Sequence, residues 1–215
     1  MNGNRKVNRS YNILIAGVIG SGKSTIAKGL TDRLMAETGA ALVLIDPKMV
    51  ELARYKNNPR CLWYADTQER IHDTLQKVYD LMMLRYRKMQ TAGQTATEEP
   101  HVFVIVDEMA ALMQSPRRKK YVELLNQVAL LGRAARVHMI LCSQVSTQDV
   151  IPACIRDNMP NLVCLKQRDA GKYRYLLGGN YEPLPMIGYA YVLTPDRNRP
   201  EKVAADDVYD AIFGA

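Results

Sequence analysis

The sequence predicts an α/β fold: a P-loop nucleotide-binding core on a mostly parallel sheet with helices on both faces. Three observations carry this. Short apolar runs recur at Ile13–Ala16, Ala41–Ile45, Val102–Val106 and Val137–Cys142, and segments with helical periodicity alternate with them. Runs that are continuously apolar, here interrupted only by His138, and not apolar at every second position, are buried on both faces, as in a parallel sheet covered by crossover helices. Finally, Gly17-Val18-Ile19-Gly20-Ser21-Gly22-Lys23-Ser24 directly follows the first run and directly precedes a helical segment. Strand, glycine-rich turn, Lys-Ser and helix together form a phosphate-cradling loop.

Composition sets the outer limits. With 215 residues, 47% of them hydrophobic and 24% charged, the chain can bury one substantial core. We expect a single domain over residues 11–215 after a polar, basic, flexible arm at 1–10. A net charge of +7 suits a polyanionic partner. The four cysteines form no Cys-x-x-Cys pair, and Cys142 and Cys164 sit in apolar runs, the usage of a cytoplasmic protein with reduced thiols. The three histidines are scattered, so no metal-ligand cluster is expected. Arg5-Lys6 ahead of Ile13 faintly mimics a signal peptide, but that apolar run ends at once in the P-loop. No run reaches the ~18 apolar residues of a membrane helix, and the chain reads as soluble.

After the Ile13–Ala16 strand and the loop, Thr25–Glu37 reads as a helix with apolar positions at Ile26, Leu30 and Leu34, and Gly39 is a plausible C-cap. Ala41–Ile45 is a second strand, ending at Asp46-Pro47-Lys48. A helix is expected over Thr67–Met89, where Ile71, Leu75, Val78, Leu81, Met82 and Met89 recur at 3–4 spacing, with a basic end at Arg85-Tyr86-Arg87-Lys88. Residues 91–100 are expected to be a disordered loop. Val102–Val106 is the third strand, Tyr121–Leu131 a helix, Val137–Cys142 the fourth strand and Asn161–Lys166 a fifth. Gly188–Thr194 reads as a terminal strand and Ala205–Phe213 as a closing helix.

Chemistry concentrates at three strand ends. In the P-loop, Gly17 to Thr25, the glycines let backbone N–H groups converge on a β-phosphate at a helix N-terminus, whose dipole favours negative charge. Lys23 can reach the β- and γ-phosphates of ATP, and the Ser24 hydroxyl can ligate Mg²⁺. The third strand ends in Asp107-Glu108. An acid there is a weak signal alone, but downstream of a P-loop it completes a site. Asp107 is expected to hold the Mg²⁺ and Glu108 to orient and deprotonate the attacking water, which points to ATP hydrolysis by a positioned carboxylate. Gln144, just past the fourth strand, is placed either to sense the γ-phosphate and the water or to cap the strand end. From spacing alone, Arg133 and Arg136 read as surface arginines, although a guanidinium there can also act as a finger in a neighbouring subunit.

These residues together resemble the motor domain of the FtsK/SpoIIIE family of DNA translocases. The likeness rests on Leu14-Ile15-Ala16-Gly17 entering the P-loop, Ile45-Asp46-Pro47-Lys48-Met49-Val50-Glu51-Leu52, Arg85-Tyr86-Arg87-Lys88-Met89, and Val106-Asp107-Glu108-Met109-Ala110-Ala111-Leu112-Met113. It continues through Gly132-Arg133-Ala134-Ala135-Arg136-Val137-His138 to Ser143-Gln144, so that residues 11 to about 195 are covered. Asp46-Pro47-Lys48 is the most discriminating segment. The resemblance implies a RecA-like core working as a hexameric ring around double-stranded DNA, with Arg133 acting in trans on the neighbour's nucleotide. Arg136 falls where the family commonly has glycine, and its role stays unassigned. Ser143-Gln144-Val145-Ser146 departs from the usual Thr-Gln-Arg-Pro. The family's membrane-spanning region, preceding ring domain and winged-helix reader have no counterpart in these residues, which implies a cut-down relative or an excised domain.

Contacts with DNA are less sharply marked. Arg117-Arg118-Lys119-Lys120 is the densest basic run and either faces phosphates or is a solvated helix start, where cations oppose the helix dipole. Lys166-Gln167-Arg168 and Lys172-Tyr173-Arg174 can likewise face nucleotide or an interface. With no base-reading element, binding is expected through backbone phosphates. The sequence therefore favours an ATP-driven double-stranded DNA translocase, with a secretion or conjugation coupling ATPase as the alternative and a non-enzymatic anchoring subunit as a third reading.

Overall fold

A computed structural model describes residues 11–214; the basic arm expected at 1–10 lies outside the described residues. The strands are β1 (Ile13–Ala16), β2 (Ala41–Ile45), β3 (Cys61–Ala65), β4 (Val102–Val106), β5 (Val137–Ser143), β6 (Asn161–Cys164), β7 (Tyr189–Leu193) and β8 (Glu201–Ala204). The helices are α1 (Lys23–Thr38), α2 (Gln68–Ala92), α3 (Met109–Met113), α4 (Arg118–Leu131), α5 (Ala153–Arg156), α6 (Ala170–Leu177) and α7 (Val208–Phe213). They form one sheet of order β3-β2-β4-β5-β1-β6-β7-β8. Strands β1 to β6 run parallel, while β7 and β8 are antiparallel additions at one edge.

Alternate side chains of each strand enter opposite faces, so an all-apolar strand feeds two cores at once. Leu14, Val43, Val104 and Leu141 pack with Leu75, Val78, Leu124 and Val128 of α2 and α4 on one face. Ile13, Leu42, Phe103 and Ile140 pack with Ile26, Leu30 and Leu34 of α1 and with Val208 and Phe213 of α7 on the other. At the entry to β1, the buried Asn12 stitches three strands together. Its amide donates to the Ala129 carbonyl and accepts from the Met139 N–H, and its own carbonyl takes the Asn161 amide. This fixes the height at which β1 delivers the P-loop.

Several elements differ from expectation. Strand β3 was not anticipated: it lies at the sheet edge and is only partly covered, with Leu62 exposed. Helix α2 runs to Ala92, capped by Thr67 at its start and by Gly93 with φ 64° at its end. The expected disordered stretch beyond it is tied down instead. Thr97 is buried and donates its N–H to the Ala134 carbonyl, Glu99 pairs with Lys88 at 2.7 Å, and the Arg136 guanidinium binds the Glu98 carbonyl. Arg85 is no part of a solvated end, for it is 6% exposed and donates to the carbonyl of Ala135 at 2.7 Å. Helix α4 begins at Arg118, a turn earlier than periodicity suggested, and the expected terminal strand is followed by β8. Strand β6 stops at Cys164, and Ala205–Asp207 is a 3₁₀ turn ahead of α7. Among the described residues no helix is long and apolar enough to cross a membrane, and the four cysteines are free.

Candidate active site

The order β4-β5-β1 places one strand between the P-loop strand and the strand ending in Asp107-Glu108. The C-terminal ends of all three meet, and each contributes side chains to one cleft, as expected where an open parallel sheet binds ligands. The loop is held from both sides. Gly17 N–H donates to the Ser143 carbonyl beyond β5's core, and Val18 N–H to the Lys166 carbonyl past β6. Gly17 must be glycine for space: a Cβ there would stand 2.6 Å from Ser21 Oγ and 2.7 Å from Leu165 Cβ. Gly20 and Gly22 are needed for conformation, with φ of 77° and 93° in the left-handed region. Val18 and Ile19 ride the outside of the turn, Ile19 fully in solvent at 77% exposure, and Thr25 is exposed on the first turn of α1.

Lys23 opens α1, and its ammonium donates to the Val18 carbonyl at 3.0 Å. Burial holds its pKa below the usual lysine range, with Glu108 opposing the shift. Lys23, Ser24, Lys48, Glu51, Asp107 and Gln144 line a cavity of about 190 Å³. Glu108 borders it, almost wholly buried. Its Oε1 accepts the N–H groups of Ala110 at 3.3 Å and Gln144 at 3.2 Å, and its Oε2 takes the Lys48 ammonium at 3.0 Å. Asp107 is pushed up to about 6, first by burial and then by the neighbouring Asp46 carboxylate. Asp46, wholly buried, accepts from Leu52 N–H and Tyr64 O–H through Oδ2, while its Oδ1 has no hydrogen-bond partner. The buried Asp107 carboxylate, with Asp46 and its unsatisfied oxygen close by, shares its cavity with Ser24, whose side chain is hydrogen-bonded to Glu51; together they make an all-oxygen set that fits a hard divalent cation such as Mg²⁺. The Ser21 hydroxyl, also buried and unpartnered, sits in the loop itself.

Beside the P-loop a second cavity of about 410 Å³ runs along α1, lined by Gly22, Thr25, Ile26, Ile187, Gly188 and Tyr209 among others. Its walls from the β7 approach were not anticipated from the sequence, where the exposed apolar pair Met186-Ile187 was the available signal. Gln167 was also missed as a structural piece. It is buried, takes the Ser146 hydroxyl on Oε1 and donates to the Ala16 carbonyl, joining the loops after β5, β6 and β1. This accounts for Ser146, where the resemblance led us to expect proline: the hydroxyl closes that brace. Of the two basic segments considered for nucleotide contact, Lys166-Gln167-Arg168 therefore turns its central residue inward. In Lys172-Tyr173-Arg174, Tyr173 is a buried brace accepting from Gln167 and Leu184, and Arg174 is bound to Asn180.

Arg133 lies elsewhere. It is exposed between α4 and β5, at the N-terminal end of the strands, beside a cavity of about 770 Å³ shared with Asn158, Asp196 and Arg197. A seven-residue strand spans about 23 Å, so Arg133 cannot reach its own P-loop past β5. Arg136 has φ 51°, the left-handed conformation that explains why glycine suits that position. Arg117, Arg118 and Lys119 are exposed around the start of α4, on the nucleotide end of the sheet.

The model of the FtsK/SpoIIIE family matches residues 4–96 and 88–148. The chain is similar to DNA translocase FtsK of Streptococcus agalactiae serotype V, with 31% identity over 245 aligned residues covering 100% of this chain and 30% of that protein. It is also similar to DNA translocase SpoIIIE of Bacillus subtilis, at 28% identity over 222 residues, covering 92% of this chain and 28% of that one. The chain thus spans about three-tenths of the length of these relatives. Among solved structures, the pCW3 conjugation coupling protein TcpA with ATPγS has the same fold, with a TM-score of 0.80 at 22% identity, covering 96% of this chain and 63% of that chain. With the P-loop, the Asp46-Pro47-Lys48 turn and the Asp107-Glu108 strand end all inside the matched segments, the chain belongs to the FtsK/SpoIIIE family.

Proposed function

We propose that this chain is the ATP-hydrolysing motor unit of a double-stranded DNA translocase, working in the cytoplasm as a ring, most simply a hexamer, with each site completed by a neighbouring copy. One observation carries the reading: Lys23, Ser24, Asp107 and Gln144 line one cleft, Glu108 is bonded to its lining residues Lys48 and Gln144, and Arg133 stands at the opposite end of the sheet. The triphosphate lies along Gly17–Thr25 with Lys23 on its β- and γ-phosphates, and the base and sugar follow the apolar cavity beside α1. Ser24 and Asp107 would hold Mg²⁺, with Asp46 behind Asp107, and the ion would offset phosphate charge. A water positioned by Glu108 and the Gln144 side chain attacks the γ-phosphorus. The water's proton passes to Glu108, the bond from phosphorus to the β–γ bridging oxygen breaks, and ADP and phosphate result. Arg133 of one copy meets the charge developing on the γ-phosphoryl group in the next.

The alternative, a secretion or conjugation coupling ATPase, shares this fold, so the fold does not separate the two. The basic run Arg117-Arg118-Lys119-Lys120 favours DNA, since its first three residues are exposed, with Lys120 half-buried and paired with Glu123, at the sheet end from which the phosphate-facing loops emerge. Each phosphate neutralised contributes about −0.9 to the slope of log affinity against log salt. Replacing all four residues with Gln is expected to reduce that slope by about two or more for double-stranded DNA of mixed sequence. An unchanged slope would show that the run is a solvated face and remove it from the DNA path.

A further inference from the structure

The ion pair between Lys48 and Glu108 has a consequence for how hydrolysis is timed. Both oxygens of Glu108 are committed: Oε1 to the N–H groups of Ala110 and Gln144, Oε2 to the Lys48 ammonium at 3.0 Å. Oε1 is fixed by backbone, so Oε2 is the oxygen able to receive a proton. With the Lys48 ammonium 3.0 Å from Oε2, that oxygen is screened from an incoming water. Lys48 itself is unevenly restrained. Its backbone follows the pinned Asp46, and the next residue, Met49, sits at φ 59° with its N–H on the Asp46 carbonyl. Its side chain, in contrast, is 42% exposed and lines the same 190 Å³ cavity as Lys23 and Ser24.

We propose that Lys48 is a positioning residue that acts as a γ-phosphate-responsive latch on Glu108. The ammonium shares its cavity with Glu51 and Asp107, but the partners that compete for it here are the Glu108 carboxylate it already binds and the γ-phosphate of bound ATP. The γ-phosphate carries more charge, so it draws the ammonium across the cavity. Oε2 is then released toward the attacking water, while Oε1 keeps Glu108 in place. ADP has no γ-phosphate and leaves the pair closed. This rests on the reading of Glu108 as the proton acceptor, and it assigns the Asp-Pro-Lys turn a task in catalysis.

The test is a double-mutant cycle read by equilibrium binding of a hydrolysis-resistant ATP analogue and of ADP, on wild type, Glu108→Gln, Lys48→Met and the double variant. If Lys48 must leave Glu108 to meet the γ-phosphate, Glu108→Gln binds the analogue more tightly than wild type, by about threefold or more, and this gain disappears when Lys48 is Met. ADP affinity stays the same throughout, and Lys48→Arg retains the preference for the triphosphate. Additive effects on analogue affinity, or equal effects on analogue and ADP, would overturn the latch. Turnover of Glu108→Gln, measured alongside, separates the outcomes: wild-type turnover removes the base assignment, whereas lost turnover with additive binding removes the latch alone.

Discussion

Replacing Glu108 with Gln is expected to lower ATP turnover by about 10²–10⁴-fold, the usual contribution of a positioned general base, while ATP still binds. The substitution keeps shape and volume in a position that is 3% exposed. The amide oxygen can still accept the Ala110 and Gln144 N–H groups, so the turn after β4 stays in place. An amide cannot take a proton from water at neutral pH, so binding and chemistry separate. Steady-state hydrolysis and nucleotide binding measured on the same preparation check this. Turnover at the wild-type rate would mean that another group accepts the proton.

The second large effect concerns Arg133. Arginine fingers are worth about 10³–10⁵ in rate, or roughly 4–7 kcal/mol, because they meet charge as it develops on the transferring phosphoryl. Arg133→Ala is expected to lose activity on that scale without losing nucleotide, since the residue is exposed and remote from its own P-loop. Mixing Arg133→Ala subunits with Lys23→Ala subunits is then expected to restore part of the activity. In such assemblies some interfaces join an intact P-loop to an intact finger. No recovery in stable mixed assemblies would show that Arg133 does not act across the interface.

Much of this site was legible in the sequence because its parts are local. The P-loop is a contiguous signature, and β2 and β4 announce themselves because burial on both faces leaves no polar position within them, while β5 is broken only by the buried His138 before it ends at Ser143. Strand β3 was the exception: Cys61-Leu62-Trp63-Tyr64-Ala65 is also a continuous run of apolar and aromatic residues, but it lies at the sheet edge, where Leu62 is exposed and Trp63 and Tyr64 are only half-buried. Helices α3, α5 and α6 span 5, 4 and 8 residues, too few turns for a 3.6-residue period to register. The contacts that tune the site are non-local and were hidden for that reason. Lys48 meets Glu108 across 60 positions, and Gln167 joins three separate loops. Arg133 shows the limit from the other side. Spacing marked it as an ordinary surface residue, family resemblance proposed a role in trans, and the geometry rules out reach to its own nucleotide.

If ATP hydrolysis by this chain serves movement on double-stranded DNA, as proposed, DNA itself should govern the ATPase rate. The ATPase rate of the assembled protein at low salt is compared with and without double-stranded DNA of several unrelated sequences. Phosphate-tracking predicts a severalfold stimulation that is nearly independent of sequence, disappears on dilution below the assembly threshold and weakens steeply with salt. Equal rates with and without DNA in the fully assembled protein would contradict the account and favour a motor that moves protein.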